Sequence, residues 1–266
     1  MELCRQLKAK GYLVFVQAMV SLCYTDLEFM DLIGMVNEFE PYAFYIVDSF
    51  GMMKQKNLLR LFYMIEHNLK DNIWIGFHSH NNMQLAYSNA QALVEVQTNR
   101  NLVVDSSVYG MGRGAGNLNT ELFIEYLNET IGTKYSLKPL LNVIDEILNH
   151  FYEKNYWGYS LPNYISAVHC AHPNYSTYWA EKNTLTVEAI DELFSLMPQD
   201  KRFEFDKEYA EKLYLQYMES GVQHTAHNDE FVKSVKDQTI LLIAPGKSVE
   251  VEQEKIKEYV KAHPCV

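Results

Sequence analysis

The sequence has few cysteines, no cluster of basic residues and no long apolar run. Its four cysteines, Cys4, Cys23, Cys170 and Cys265, lie far apart with no Cys-x-x-Cys pair, which argues against a disulfide framework or a thiolate zinc knuckle. The basic residues are scattered and the formal net charge is −11, so nucleic acid is not an expected partner. The longest apolar run is well short of the roughly 18 residues that a membrane-spanning helix needs, and no signal-peptide pattern is seen. We therefore expect a cytoplasmic protein without a membrane or nucleic-acid partner.

A repeated pattern of strands and helices occupies the first half of the 266-residue chain. Four β-rich runs start roughly 30 residues apart, which is the length of a strand, a loop and a covering helix. These runs are Tyr12–Val20, Ala43–Val47, Asn72–Phe77 and Leu102–Val104. Amphipathic stretches predict helices over Leu27–Phe39, Gln55–Leu69, Met83–Val96 and Thr120–Ile131. The alternation predicts an α/β fold with a parallel sheet.

The pattern changes after Gly132. Helices are predicted over Leu137–Tyr152, Val187–Leu196 and Lys207–Glu219. A polar stretch follows, and Thr239–Ser248 is typical of a strand and turn before a last helix. We divide the chain into βα units over 1–132, a helical region over 133–222, a linker over 223–238 and the opening βα unit of a further α/β domain over 239–266.

Two histidines stand at the end of the third predicted strand. Because the strand period is two, His78 and His80 share one face, and two neutral imidazoles at this spacing can bind one divalent ion. Asp48 and Ser49 follow the second strand and Asp105 follows the fourth, so these side chains are expected at the same edge of the sheet. The alternative interpretation is a pair of hydrogen-bonded loop histidines beside aspartates that cap turns.

A glycine-rich loop follows the fourth strand. Four of the twelve glycines lie within the seven residues from Gly110 to Gly116, and glycine there lets backbone amides approach a ligand. A dinucleotide site also needs an acidic residue at the end of another strand about 20 residues later, and the sequence has none there. The loop ends at Asn117, just before a predicted helix.

Three motifs together resemble a known family. They are Val47-Asp-Ser-x-Gly-Met52, His78-Ser-His80-Asn-Asn and Asp105-Ser-Ser-x-x-Gly-Met-Gly-Arg-Gly-Ala-Gly-Asn117. In order and spacing they are similar to the metal-dependent pyruvate aldolase and acyl-CoA lyase superfamily, most closely to its 4-hydroxy-2-oxovalerate aldolase branch. The similarity covers about residues 1–150.

The resemblance implies the last four βα units of a (β/α)8 TIM barrel, followed by a helical region. It implies that Mn²⁺ or Mg²⁺ is bound by His78 and His80, with Asn117 as a further ligand. A small 2-oxo acid would be the substrate. The implied reaction is the retro-aldol cleavage of a 4-hydroxy-2-oxo acid, such as 4-hydroxy-2-oxovalerate, to pyruvate and an aldehyde.

The resemblance also implies roles beyond the metal. Ser49 would contact the carboxylate of pyruvate, with Asp48 beside it in the substrate site. Tyr164 is the nearest match to the tyrosine that assists proton transfer in those aldolases, and Tyr159 is the second choice. An aldehyde dehydrogenase is the implied candidate partner, because it would consume the aldehyde product.

The chain departs from the family in one respect. None of its five arginines is followed by Asp or Glu, whereas the family's first strand supplies an Arg-Asp or Asp-Arg-Glu motif for the metal and the enolate. We therefore expect an incomplete part of the enzyme that is inactive alone, and a homo-oligomer, because a half barrel leaves two sheet edges unpaired. A Claisen-type acyl transferase similar to citramalate or isopropylmalate synthase, and a non-catalytic metal-binding module, are the alternatives.

Overall fold

The computed structural model describes residues 2–220, 233–236, 238, 240–243 and 247–263. The chain divides into two compact units, Met1–Tyr214 and Leu215–Val266. The predicted linker over 223–238 lies largely outside the described residues. The segment boundaries expected after residues 132, 222 and 238 stay predictions.

The first unit contains a four-stranded parallel sheet in the order β1-β2-β3-β4. Its strands are β1 (Phe15–Ala18), β2 (Ala43–Asp48), β3 (Trp74–Ser79) and β4 (Leu102–Val104). Helix α1 (Glu2–Ala9) precedes them, and α2 (Asp26–Phe39), α3 (Gln55–Asn68), α4 (Ala86–Val94) and α5 (Thr120–Tyr126) follow the four strands in turn. The α/β fold with a parallel sheet is confirmed.

One face of the sheet packs against the helices. Phe44 and Ile46 of β2 and Ile75 and Phe77 of β3 are fully buried there, in one apolar cluster with residues of α2 and α3. These positions alternate with the residues of the opposite face, as the two-residue period of a strand requires. The helices therefore cover one face, and the alternate residues form a second face that we call the inner face.

Local interactions set the ends of these elements. Thr25 and Glu28 form a capping box at the start of α2, because each side chain accepts a hydrogen bond from the other's backbone N–H. The predicted first strand reached Val20, but Val20 has a left-handed backbone (φ 55°) that ends the extended segment. The predicted start of α4 at Met83 is also early, because Gln84 has φ 58° and the helix begins only at Ala86.

Helices account for most of the rest of the first unit. A π-helix, Leu127–Ile131, continues α5, and α6 (Lys138–Val143) runs through a π-helical segment, Ile144–Leu148, into α7 (Asn149–Tyr152). They are followed by α8 (Leu161–Val168), α9 (Pro173–Glu181), α10 (Val187–Leu196) and α11 (Lys207–Ser220). Helices α8 and α9 were not predicted. Their prolines lie in the first turn, where a proline does not break a helix, and Ser160 and His172 cap their N-termini.

Helices make up most of the described part of the second unit. It contains α12 (Lys247–Val251) and α13 (Gln253–Ala262). The strand predicted within Thr239–Ser248 is wrong for the part that is described, because residues 240–243 are irregular and Leu242 is 89% exposed. An extended segment becomes a strand only when a neighbour pairs with its backbone. Residues 240–243 pair with no strand of the described chain. No described helix combines the length and the apolar character that crossing a membrane requires.

Candidate active site

Polar side chains collect on the inner face of the sheet. Gln17, Tyr45 and Gly76 lie side by side in adjacent strands, as the parallel register shows. His78 lies two residues further along β3, and Asp105 directly follows β4. Since the carboxyl ends of parallel strands meet at one edge, these groups come together although they are far apart in sequence.

Asp105 is the centre of this polar group. One carboxylate oxygen accepts a hydrogen bond from the Tyr45 hydroxyl (3.0 Å), and the other lies 3.1 Å from Gln17 Nε2 and 3.0 Å from His78 Nδ1. Gly76 makes the Tyr45 contact possible, because a Cβ at position 76 would lie 2.3 Å from the tyrosine ring. Burial, with Asp105 beside it, raises the pKa of Tyr45 well above its usual range. Tyr45 therefore stays protonated and donates a hydrogen bond to the carboxylate.

In the described part of the chain, His78 and His80 each form a hydrogen bond through Nδ1 and none through Nε2. A carboxylate and a carbonyl only accept hydrogen bonds, so the proton must be on His78 Nδ1, facing Asp105, and on His80 Nδ1, which is 3.0 Å from the Asp48 carbonyl. The two ring centres are 5.1 Å apart. Burial lowers the pKa of His80, which keeps its ring neutral at pH 7. Histidines that bind metals usually have the other ring nitrogen held in this way.

Asn117 joins the same edge through the backbone. It forms an antiparallel bridge with His80, and its Nδ2 donates to the Met111 carbonyl at 3.0 Å. Its Oδ1 is buried and has no hydrogen-bond partner among the described residues. Gly112 leaves room for this amide, because a Cβ there would lie 2.6 Å from Asn117 Nδ2. A buried acceptor without a donor costs free energy unless a ligand or water satisfies it.

These three residues fit a divalent ion. Two neutral imidazoles and one amide oxygen form a mixed nitrogen and oxygen donor set, which leaves coordination positions open for water or substrate. Within the described ranges, no group of three or more His, Cys, Asp and Glu side chains is arranged to hold a metal. The fit therefore depends on His78, His80 and Asn117 together.

Ser49 and Asp48, which are both predicted in the substrate site, form different hydrogen bonds. Ser49 Oγ accepts the Val20 N–H at 2.8 Å, so its own hydroxyl proton is free to be donated to a ligand. Asp48 is 2% exposed, and its two oxygens accept the N–H groups of Met52 and Met53 at 2.9 and 3.0 Å. Burial raises the pKa of Asp48 to about 6. This geometry supports a role for Asp48 in shaping the loop after β2, and its place in the substrate site stays a prediction.

The two predicted tyrosines lie outside the hydrogen-bonded group. Tyr164, in α8, is 39% exposed, and Tyr159, just before that helix, is 48% exposed. In the described part of the chain, neither hydroxyl makes a hydrogen bond to the histidines or to Asn117. Tyr159 lines a cavity of about 170 Å³ together with Asn81 and Ala115, next to the glycine-rich loop. Their role in proton transfer stays a prediction.

Four residues near this edge were not predicted from the sequence: Gln17, Tyr45, Arg113 and His172. Gln17 and Tyr45 share the face of His78 by the two-residue period, so this pattern was the available signal. Arg113 Nη1 lies 2.7 Å from His172 Nε2, 59 residues away in sequence. No pattern in the sequence indicates that contact, because it depends on how the segment containing α8 and α9 packs on the glycine-rich loop.

Comparison with known proteins gives the family. The HMGL-like family profile matches residues 4–147, more than half of the chain. A 4-hydroxy-2-oxovalerate aldolase from Geobacillus genomosp. 3 is 32% identical over 106 residues, covering 40% of this chain and 30% of that protein. One from Thermomicrobium roseum is 37% identical over 99 residues, covering 37% and 25%. The matched segments thus span less than a third of the length of these curated relatives.

Solved structures agree on the fold. The N-terminal domain of a candidate aldolase from Bacteroides vulgatus is 27% identical with a TM-score of 0.59, covering 67% of this chain and 58% of that one. The carboxyl transferase domain of Rhizobium etli pyruvate carboxylase, solved with oxalate, has a TM-score of 0.56 over 95% of this chain and 43% of that one. At 14% identity it supports the fold alone. The family match, these neighbours and the four parallel βα units lead to one assignment: the chain belongs to the HMGL-like family and contains part of its TIM barrel.

Proposed function

We propose that this chain supplies the metal-binding edge of a divalent-metal-dependent aldolase that cleaves a 4-hydroxy-2-oxo acid to pyruvate and an aldehyde. The observation that carries the proposal is the arrangement of His78 and His80, whose Nδ1 atoms are both engaged while both Nε2 atoms remain available. The relatives named 4-hydroxy-2-oxovalerate aldolase supply the substrate class. Their shared segments cover only part of each protein, so the whole reaction is part of the proposal.

His78, His80 and Asn117 would hold Mn²⁺ or Mg²⁺. When bound, such an ion polarises the 2-oxo group and stabilises the negative charge that develops there during cleavage. Asp105 keeps the His78 tautomer that presents Nε2, and Tyr45 and Gln17 hold Asp105 in place. The protein's contribution at this edge is to fix the donor atoms before the substrate arrives.

Ser49 would orient the substrate. Because its oxygen already accepts the Val20 N–H, its hydroxyl proton points elsewhere and can be donated to the carboxylate of the 2-oxo acid. Cleavage removes a proton from the 4-hydroxyl, breaks the bond between C3 and C4, and later returns a proton to C3. We propose Tyr164 for proton transfer, with Tyr159 as the second choice, because both side chains are accessible and belong to the segment that follows the barrel units.

Metal binding is the first test. We expect calorimetric titration with Mn²⁺ to show binding to the wild type and at least about 10-fold weaker binding to the double variant His78→Ala/His80→Ala. The variant His67→Ala/His150→Ala is the matched control, since both of its histidines are exposed. Equal affinity of the wild type and the His78→Ala/His80→Ala variant would contradict the proposed site.

Pyruvate release is the second test. The assay couples cleavage of 4-hydroxy-2-oxovalerate to lactate dehydrogenase, with and without Mn²⁺. The chain has no Arg-Asp or Arg-Glu pair, and loss of one preorganised charge donor typically slows a reaction about 10²- to 10³-fold. We therefore expect negligible pyruvate release from this chain alone, and Mn²⁺-dependent release when a segment carrying such a motif is added. If the combined protein binds Mn²⁺ but releases no pyruvate from short 4-hydroxy-2-oxo acids, the aldolase proposal fails.

A further inference from the structure

Arg113, in the glycine-rich loop, is a cation that has no acidic partner among the residues that the structure describes. The other arginines with described contacts are fully engaged: Arg60 pairs with Asp26, Arg100 with Glu66 and Asp71, and Arg202 with the carbonyls of His169, Phe194 and Met197. Within the described residues, Arg113 has one hydrogen-bond contact, with His172, and no ion pair. An exposed guanidinium so close to a candidate active site is available for an anionic ligand.

His172 is a weak hydrogen-bond partner for Arg113, because its two ring nitrogens cannot both accept a hydrogen bond. His172 Nδ1 caps α9 by accepting the Asn174 N–H at 3.2 Å, while the guanidinium approaches Nε2 at 2.7 Å. A neutral imidazole has only one acceptor nitrogen and a guanidinium only donates, so both contacts cannot be satisfied together. Burial, with Arg113 and His80 nearby, lowers the pKa of His172 to about 4, so the ring is neutral at pH 7. A ligand anion would therefore compete well for Arg113.

A large cavity begins at Arg113. Its volume is about 590 Å³, within the range of small-molecule sites. Hydroxyl and amide side chains line it: Ser160, Thr177, Asn163, Asn174 and Asn183. Asn163 is only 8% exposed, and its side-chain amide makes no hydrogen bond in the described part of the chain. Arg113 is the only cationic residue and Glu181 the only carboxylate of this lining.

The glycine-rich loop connects the cavity to the proposed metal site, because it contributes Arg113 and Gly114 to the cavity lining and also contains Asn117. Arg113 lies four residues before Asn117 in the same loop. That loop is tied to the segment after β3, because Ala115 N–H donates to Asn82 Oδ1 at 2.9 Å and Asn81 N–H donates to the Gly116 carbonyl at 2.8 Å. His80 itself forms a backbone bridge with Asn117 of this loop. A substrate held at His80 can therefore extend towards Arg113.

We propose that this cavity binds the aldehyde end of the substrate, and that this end is a short hydroxylated chain ending in an anionic group held by Arg113. The inference rests on the proposed aldolase function and names its substrate class. A two-carbon aldehyde would leave most of the volume empty, whereas hydroxyl groups would satisfy the amides and Glu181. A carboxylate and a phosphate share the chemistry that a guanidinium recognises, so the experiment separates them.

The test is calorimetric titration of the whole chain with D-glycerate, glycerol 3-phosphate and glycerol, without metal. We expect at least one of the two anions to bind more tightly than glycerol. The variant Arg113→Gln should weaken anion binding about 10- to 100-fold, because it removes a charged hydrogen bond. Arg5→Gln, an exposed arginine in α1, is the control and should bind as the wild type does. His172→Asn, which keeps a capping side chain, should retain or improve anion binding.

Two results would overturn the proposal. One is an Arg113→Gln variant that binds both anions as tightly as the wild type does. The other is glycerol binding at least as tightly as both anions. Failure of the aldolase proposal would be detected in different experiments, namely the Mn²⁺ titration of His78→Ala/His80→Ala and the pyruvate-release assay. Anion binding through Arg113 together with unchanged Mn²⁺ binding in that double variant would keep the ligand class and reject the aldolase.

Discussion

The two faces of the same sheet have opposite characters. Towards the helices, Phe44 and Phe77 are completely buried among apolar side chains. On the inner face, Tyr45, His78 and Asp105 form a hydrogen-bonded polar group. Neighbouring residues in one strand thus serve different purposes, since alternate side chains point to opposite faces. We expect substitutions of the apolar residues on the helix-covered face to change mainly stability, and substitutions of the polar side chains on the inner face to change mainly binding.

The largest effect is expected from Phe44→Ala. Phe44 is fully buried and its ring centre lies 6.0 Å from that of Phe29 in α2. Removing a buried phenylalanine side chain typically costs about 3–5 kcal/mol of unfolding free energy. Phe15→Ala on the inner face is the matched control, because Phe15 is 44% exposed and should cost at most about 1.5 kcal/mol. Chemical denaturation of both variants measures the difference, and similar losses would contradict the division between the faces.

Gly76→Ala should lower the free energy of unfolding by about 3 kcal/mol, which is at the upper end of the losses seen when a packed core is overfilled. The added Cβ would lie 2.3 Å from the Tyr45 ring, which must move away from Asp105. Gly34→Ala in α2 is the control, because nothing lies within 4 Å of a Cβ there. Alanine favours a helix over glycine by about 0.5–1 kcal/mol, so this control should be stabilising. Thermal unfolding measures both changes in stability. If Gly76→Ala leaves stability unchanged, the Tyr45 ring can adopt another position without loss.

Asp105→Asn should weaken Mn²⁺ binding about 10- to 100-fold, as loss of the group that orients a metal-binding histidine usually does. The neutral amide has one acceptor oxygen and one donor nitrogen, so it cannot accept from Gln17, Tyr45 and His78 as the carboxylate does, and it holds the tautomer of His78 less strongly. Asp71→Asn serves as the control, since Asp71 is fully exposed and lies away from the site. Calorimetry with Mn²⁺ measures the change. Unchanged affinity would place the metal elsewhere.

The smallest effect is expected from His172→Asn, which should change how the stability of the fold depends on pH. Because its pKa is about 4 in the folded chain and about 6.5 when unfolded, His172 binds fewer protons in the folded state between those values. The wild type should therefore lose stability as the pH falls from 6.5 to 4, by about 1–2 kcal/mol after allowance for solvent screening. The asparagine variant keeps a helix cap and should lose less over this window. Denaturant midpoints at pH 4, 5 and 7 measure this, and parallel curves would exclude His172 as the source.

Local patterns predicted the four βα units well, because each strand and helix has a clear apolar period. Their ends were less accurate, since Val20 and Gln84 adopt left-handed backbone conformations that the period does not reveal. Helices α8 and α9 were missed because Pro162 and Pro173 suggest irregular structure until their place in the first turn is known. The strand predicted after Thr239 failed where it is described, because an apolar run cannot supply its own pairing partner.

Within the site, the prediction was strongest where it depended on neighbouring residues. Strand period alone brought His78 and His80 together, and the structure adds the bridge between His80 and Asn117. Asp48 shows the limit of this reasoning. Its position at a strand end suggested a ligand contact, but its carboxylate faces the following backbone amides and not the histidines.

The sequence by itself determined the alternation of strands and helices, the pairing of two histidines on one strand face and the glycine-rich loop, because these features depend on residues close together in the chain. Only the tertiary structure decided which groups complete them. Asp105 reaches His78 across the sheet, Gly76 makes room for Tyr45, and Arg113 meets a cavity formed by α8 and α9. Each of these contacts joins segments far apart in sequence, and packing determines their distance and solvent exposure.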